Sequence, residues 1–283
     1  MSKALFGPAG NCEAFYAQGG KSTLQAMGWV KNMGLDAYEY QCGNGVSGSD
    51  GNFIAIGNKA KEHGIVLSLH APYFISLSGV EEETRLKSIE HIRKSVHAAS
   101  LLGADRIVIH TGSASKITRE EAVYLASDTL SRALESIDTD IKFCLETMGK
   151  VNQLGTLDEV ITLCKLSPRL IPTVDFGHLN ARDMGGVFVT EDDYKRVFDK
   201  VGSALGDEVA RTLHCHFSKI EYSKGGEKKH LTFEDNIFGP DPEPLMKVIA
   251  DNRLCPRIIC ESAGTQADDA LIMKKKYIEA LNG

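Results

Sequence analysis

The 283-residue chain is predicted to fold as one α/β domain, a (β/α)8 barrel spanning residues 1–283. Three observations predict it. Short apolar runs alternate with longer amphipathic segments from end to end. The length is close to the roughly 250 residues such a barrel takes. No linker, low-complexity tract or domain boundary interrupts the alternation.

The strands are expected at residues 3–7, 36–41, 65–70, 106–111, 141–147, 170–175, 212–217 and 257–262. Runs such as Ile65-Val66-Leu67-Ser68-Leu69 and Arg106-Ile107-Val108-Ile109 are almost continuously apolar. Strands of a parallel sheet, covered on both faces, have this character. Helical spacing follows at 22–33, 84–102, 119–137, 156–166, 191–202, 242–252 and 267–281. In the first of these Leu24, Met27 and Val30 recur at three-residue steps before Gly34. In the second Leu86, Ile89, Ile92, Val96 and Leu101 precede Gly103. Glycine just past the last periodic residue is a helix stop. Strand–helix units repeated in this way make a parallel sheet, and eight of them close most naturally into a barrel. The longest stretch without a clear element is 218–241, after the seventh strand. A long loop there points to function.

Composition narrows the function classes. Hydrophobic residues make up 42% of the chain, enough for a large core. No apolar run approaches the roughly 18 residues of a membrane span, and Met1-Ser2-Lys3-Ala4-Leu5-Phe6-Gly7 is not a secretory leader, so a cytoplasmic protein is expected. The seven cysteines form no CxxC pair, and Cys144, Cys215 and Cys260 lie in apolar runs, which reads as reduced, buried thiols. A net charge of −6 argues against a broad nucleic-acid footprint. Bound cations would change that balance locally.

Six of the nine histidines cluster by position, whereas His63, His91 and His97 sit in helical patterns and read as surface or packing residues. His70 and His110 end the third and fourth strands, His178 follows the sixth, His214 and His216 lie in the seventh, and His230 lies in the long loop. Glu146, Asp175 and Glu261 end the fifth, sixth and eighth strands. In such a barrel the C-terminal strand ends meet at one face, where active sites form. Six consecutive strands thus deliver a histidine or carboxylate to one bowl. A single strand-end histidine is usually a hydrogen-bonded core residue, but six buried groups left unmetallated would be a costly polar network. Imidazole and carboxylate without thiolate suit zinc, manganese or iron. Two ions about 3.5–4 Å apart, bridged by a carboxylate, suit phosphate-ester hydrolysis. His214, two residues before His216, shares its face and is expected to support it rather than bind metal.

The segments Ser68-Leu69-His70-Ala71-Pro72-Tyr73, Ile109-His110-Thr111-Gly112-Ser113, Leu145-Glu146-Thr147, Val174-Asp175-Phe176-Gly177-His178 and Cys260-Glu261-Ser262 resemble, in order, those of endonuclease IV. This is apurinic/apyrimidinic endonuclease family 2, within the xylose isomerase-like TIM barrel superfamily. The resemblance runs from about Phe6 to Tyr277. It implies a deoxyribonuclease IV activity in base-excision repair: hydrolysis of the phosphodiester 5′ to an abasic site in double-stranded DNA, by a monomer carrying two or three Zn2+ ions (Mn2+ or Fe2+ being chemically possible). It implies that His70, His110 and Glu146 hold one zinc, and that Glu146 bridges to a second held by Asp175, His216 and Glu261. His178 then belongs to a third, with His230. Glu146 and Glu261 are the implied catalytic carboxylates. The family supplies Asp-x-His in the last loop, whereas this chain has Gly226-Glu227-Lys228-Lys229-His230. Glu227 substitutes if the loop bends, while Lys228 and Lys229 are candidate phosphate contacts. Tyr73 and Phe74 stand where the family wedges the DNA stack, or else pack on the rim. The loop Gln41–Val46 resembles a DNA-contact loop without arginine. Lys116, Lys150, Lys219 and Lys224 are the basic residues expected on that face. The alternative activity is a metal-dependent sugar isomerase or epimerase, with Glu146 and Glu261 as proton-transfer groups.

Overall fold

A computed structural model describes residues 3–283. Eight parallel strands form the expected barrel: β1 (Leu5–Pro8), β2 (Ala37–Gln41), β3 (Val66–His70), β4 (Arg106–His110), β5 (Lys142–Glu146), β6 (Leu170–Asp175), β7 (His214–Phe217) and β10 (Arg257–Cys260). Their order around the wall is β1-β10-β7-β6-β5-β4-β3-β2. The seam between β1 and β2 is fastened lightly, by Asp36 N–H to Phe6 O (2.9 Å) and Gly10 N–H to Glu39 O (3.0 Å). Only glycine fits at position 7, because a Cβ there would lie 1.9 Å from the Ala37 carbonyl oxygen.

Helices cover the outside: α1 (Glu13–Ala17), α2 (Thr23–Asn32), α3 (Asp50–His63), α4 (Glu82–Leu102), α5 (Arg119–Ser136), α6 (Leu157–Cys164), α7 (Phe176–Arg182), α8 (Glu191–Leu205), α9 (Asp207–Arg211), α10 (Glu243–Asp251) and α11 (Gln266–Asn282). Gly64 and Gly103 close α3 and α4 in the left-handed conformation, as helix-stop glycines do. Thr156 and Glu159 start α6 with a reciprocal capping box. Helix α3 is hidden in the sequence by its internal glycines. Gly57 is there for contact, since a Cβ would meet the Leu102 carbonyl at 2.6 Å, so α3 lies directly against α4. None of the described helices is long and apolar enough to cross a membrane.

One expectation needs correction. The stretch 218–241 contains an antiparallel hairpin, β8 (Lys219–Ser223) and β9 (Gly226–Leu231). Its two-residue turn, Lys224-Gly225, is the shortest hairpin connection. The hairpin docks on the loop after β5, with Glu227 N–H donating to Gly149 O (3.0 Å) and Val151 N–H to Gly225 O (3.1 Å). That loop is itself tied down by Arg182, whose guanidinium donates to the carbonyls of Met148, Lys150, Val151 and Gln153 at 2.8–3.1 Å.

Candidate metal centre

Residues two apart on a strand share a face, so the barrel interior is built in layers. The uppermost layer takes one side chain from most strands: His70, His110, Glu146, Asp175, His216, and Glu261 just past β10. All six converge. Glu146, fully buried, is the hub. Its Oε2 lies 3.3 Å from His70 Nε2 and 3.1 Å from His110 Nε2. Its Oε1 lies 3.0 Å from His216 Nδ1. One carboxylate therefore faces two histidines through one oxygen and a third histidine through the other, the geometry of a bridging ligand. Glu261 Oε1 is 3.4 Å from His216 Nδ1. Donor atoms of Glu146, Asp175, His216 and Glu261 all lie within 4.8 Å of one another, as do those of His70, Glu146 and His216.

The turn from β6 into α7 places two more groups. Asp175 is the N-cap, and its Oδ1 accepts from the backbone N–H of His178 at 2.6 Å, satisfying an otherwise orphaned helix donor. The cap fixes His178 one turn in, with Nδ1 2.9 Å from Thr147 O and Nε2 3.5 Å from Glu227 Oε2.

The hairpin brings the remaining donors. Glu227 and His230 are three residues apart, and an unbroken strand would point them to opposite faces. The register shifts between Glu221 and Tyr222: Glu221 pairs with Lys229, but Tyr222 pairs with Glu227. Lys228 is the extra residue of a β-bulge. With it bulged out, Glu227 and His230 face the same way and both reach His178. The His178 and His230 rings meet edge to face at 5.4 Å, and His230 Nε2 is 3.9 Å from Glu227 Oε1. Donor atoms of His178, His230 and Glu261 also lie within 4.8 Å of one another. Glycine is needed opposite, because a Cβ on Gly149 would stand 2.6 Å from Glu227 Cβ and 3.0 Å from His178 Cδ2.

Electrostatics follow from this crowding. Burial alone would push His70 and His178 below their ordinary value, but facing carboxylates override it, Glu146 for His70 and Asp175 first for His178, raising both to about 9. His216 is raised too, against its burial, by Glu261, Glu39 and Glu146. Glu146 is held well below its ordinary range because His216, His110 and His70 outweigh its desolvation. These carboxylates demand cations, and protons on imidazole are one way to supply them.

Divalent ions are another, and the donor set fits them. The Oδ2 of Asp175 is buried with no hydrogen-bond partner. His70 and His178 each spend Nδ1 on a backbone carbonyl, Ala71 at 2.8 Å and Thr147 at 2.9 Å. That leaves the Nε2 lone pairs facing carboxylates, as in metal sites whose second ring nitrogen is hydrogen-bonded. His230 likewise contacts Ser218 Oγ through Nδ1 at 2.8 Å. All seven cysteines are free thiols, and burial pushes Cys144 up to about 12, so thiolate is not the available donor.

Three lysines are held in ways the sequence did not indicate, and one residue went unforeseen. Lys219 is buried, its amine held by Asp235 O (2.6 Å) and Asp241 Oδ1 (3.1 Å), so it is a structural cation rather than one facing outward. Lys228 and Lys229 both pair with Glu221 across the hairpin. The unforeseen residue is Glu39 in β2. It is completely buried, with Oε2 3.0 Å from His214 Nε2 and 2.9 Å from Ser68 Oγ, and Oε1 3.1 Å from His216 Nε2. Its signal was present: a lone carboxylate in a strand of a parallel barrel cannot face water, and it shares a parity with Gln41 at the strand end. His214 lies in this lower layer, bonded to Glu39, where burial pushes it down to about 3. Tyr73 and Phe74 are both exposed and meet edge to face at 5.7 Å. Phe74 also packs on the His91 ring at 4.7 Å.

Comparison with known proteins agrees with the architecture. An uncharacterised protein of Methanocaldococcus jannaschii is 33% identical over 221 residues, covering 76% of this chain and 79% of that protein. A probable endonuclease 4 of Acholeplasma laidlawii is 29% identical over 197 residues, 67% of this chain and 65% of its own, slightly under two thirds of its length. Among solved structures, endonuclease IV from Thermus thermophilus superposes with a TM-score of 0.67 at 20% identity, covering 92% of this chain and 95% of that one. A D-tagatose 3-epimerase-like protein does so with a TM-score of 0.67 at 22% identity, covering 88% and 90%. At these identities the superpositions speak for the fold. The family model described as xylose isomerase-like TIM barrel matches residues 27–280, nearly the whole barrel, and the chain belongs to that family.

Proposed function

We propose that the chain is a metal-dependent apurinic/apyrimidinic endonuclease, hydrolysing the phosphodiester 5′ to an abasic site in duplex DNA. The observation that carries this reading is the third donor set. His178 and His230 gather with Glu261 beside the two sets that share Glu146, with Glu227 3.5 Å from His178 and 3.9 Å from His230, and a sugar isomerase, with one or two ions, has no use for them. Ions bound there would supply an activated water and neutralise charge on the phosphate oxygens. The chain's own groups do the rest. Glu146 couples the His70–His110 side to the His216 side. Glu261, at the lip, orients what lies above His216. The side chains of His110, Glu227, His230 and Glu261 keep 14–27% of their surface exposed while those of Glu146, Asp175 and His216 are sealed, so the bowl opens on its rim to an extended polymer. Tyr73 and Phe74 stand at that rim as a wedge for the base stack.

The test is metal analysis of the purified chain with an incision assay on a synthetic abasic duplex. One zinc per donor set together with cleavage 5′ to the lesion is expected. Bound ions without incision, accompanied by epimerisation of a ketose, would overturn it in favour of the sugar-epimerase reading, which the shared position of Glu146 and Glu261 beside His216 would serve. Tyr73→Ala and Phe74→Ala should each weaken binding to an abasic duplex by about 5- to 100-fold, on the scale of one stacked base, with metal content unchanged. Unaltered affinity in a filter-binding assay would remove the wedge.

A further inference from the structure

The histidines of the bowl are not supported alike. His70 and His178 spend Nδ1 on backbone carbonyls, and His230 contacts a serine hydroxyl through Nδ1. Those partners are neutral. His178 Nδ1 also has Asp175 Oδ2 at 3.4 Å, but behind His216 the carboxylate is the whole support: Glu39 Oε1 lies 3.1 Å from its Nε2, which is otherwise without a hydrogen-bond partner. His216 is also reversed, turning Nδ1 rather than Nε2 towards Glu146 (3.0 Å) and Glu261 (3.4 Å). Glu39 has no other visible employment. It is completely buried beneath the bowl; Ser68 and His214 hold its Oε2, and its Oε1 accepts from Gln41 Nε2 at 3.3 Å while lying 3.1 Å from His216 Nε2.

We propose that Glu39 is a positioning residue of the metal centre: by accepting a hydrogen bond from the Nε2–H of His216 it fixes the tautomer whose Nδ1 lone pair binds the ion shared with Glu146, Asp175 and Glu261, and its charge makes that ion the most firmly held of the set. The proposal rests on the metal-dependent reading above and adds to it a residue outside the ligand set. A carboxylate behind a ligating imidazole raises its basicity, and losing such a partner typically costs 10–100-fold in metal affinity.

Two measurements on the zinc-loaded full chain test it. In 15N-histidine NMR of the unaltered protein, one imidazole should carry zinc on Nδ1 with Nε2 protonated, while the other ligating rings carry it on Nε2. Zinc on Nε2 of every ring would overturn the proposal without any variant having to fold. In the second, zinc release to a chromophoric chelator is followed in time. Glu39→Gln should speed the slowest phase by about 10- to 100-fold and leave the faster phases alone. Ser68→Ala, which removes one of the bonds orienting Glu39 but keeps the carboxylate, should speed release by less than Glu39→Gln does. Equal release from Glu39→Gln and the unaltered chain would overturn the proposal, as would acceleration by Ser68→Ala to the same extent, which marks a merely structural layer. Failure of the unaltered chain to retain zinc would sink the metal-dependent reading and this inference with it, whereas the other three adverse results sink the inference alone.

Discussion

On the proposed reading, the side chain of Glu261 belongs to the chemistry more than to the fold. It lies past the last strand with 14% of its side chain exposed, at the lip of the buried network around Glu146 and 3.4 Å from His216 Nδ1. Glu261→Gln should therefore cut incision of an abasic duplex by at least about 10²-fold, the scale on which one charge-stabilising group acts, while the thermal midpoint of the metal-free chain moves little. Full incision by that variant would remove Glu261 from the chemistry. At this scale the sequence was legible where a residue ends a strand. His70, His110, Glu146 and Asp175 could be placed in one bowl from strand positions alone. Glu39 escapes a reading of strand ends, because it lies two residues before the end of β2 and its partners come from elsewhere in the barrel, Ser68 from β3 and His214 and His216 from β7 across the interior.

At the scale of the element, the hairpin decides whether the third donor set exists. The bulge at Lys228 converts a spacing of three into the effect of a spacing of two. Deleting Lys228 should restore regular pairing and turn Glu227 away from His178, so that the purified chain carries one ion fewer. Lys228→Ala, which keeps the extra residue, should carry the full complement. Metal analysis separates the two, and equal content in both would show that the bulge is irrelevant. Gly149→Ala should mimic the deletion from the opposite side by pushing on Glu227. The hairpin is not legible in the sequence because neither strand contains an apolar run: β9 reads Gly226-Glu227-Lys228-Lys229-His230-Leu231, almost wholly polar. The barrel strands were legible for the opposite reason: covered on both faces, they are nearly continuous in apolar residues.

For the whole molecule the consequence is a dependence of stability on pH that metal should reverse. In the metal-free chain His70 and His178 are raised from 6.5 to about 9. A base with a raised folded-state value stabilises fully below its unfolded value and loses that contribution as pH climbs through the folded one. Glu39 and Glu146, lowered from 4.5, stabilise above that value and lose their contribution in acid. His214, lowered to about 3, also disfavours folding as pH falls below 6.5, because only the unfolded chain takes its proton. The metal-free chain should therefore be most stable near about pH 6.5, lose stability towards acid and soften towards about pH 9. Metal loading must expel the imidazole protons, so the loaded chain should hold its stability through the same window. Melting curves with and without chelator check this, and parallel pH profiles would contradict it. The light fastening between β1 and β2 bears on the same behaviour. Glu39 belongs to β2, so the support beneath His216 is attached to the wall where the ring of strands is least stitched. Warming would part the cylinder there first, and the chain would lose its grip on cargo ions while most of its helices were still intact.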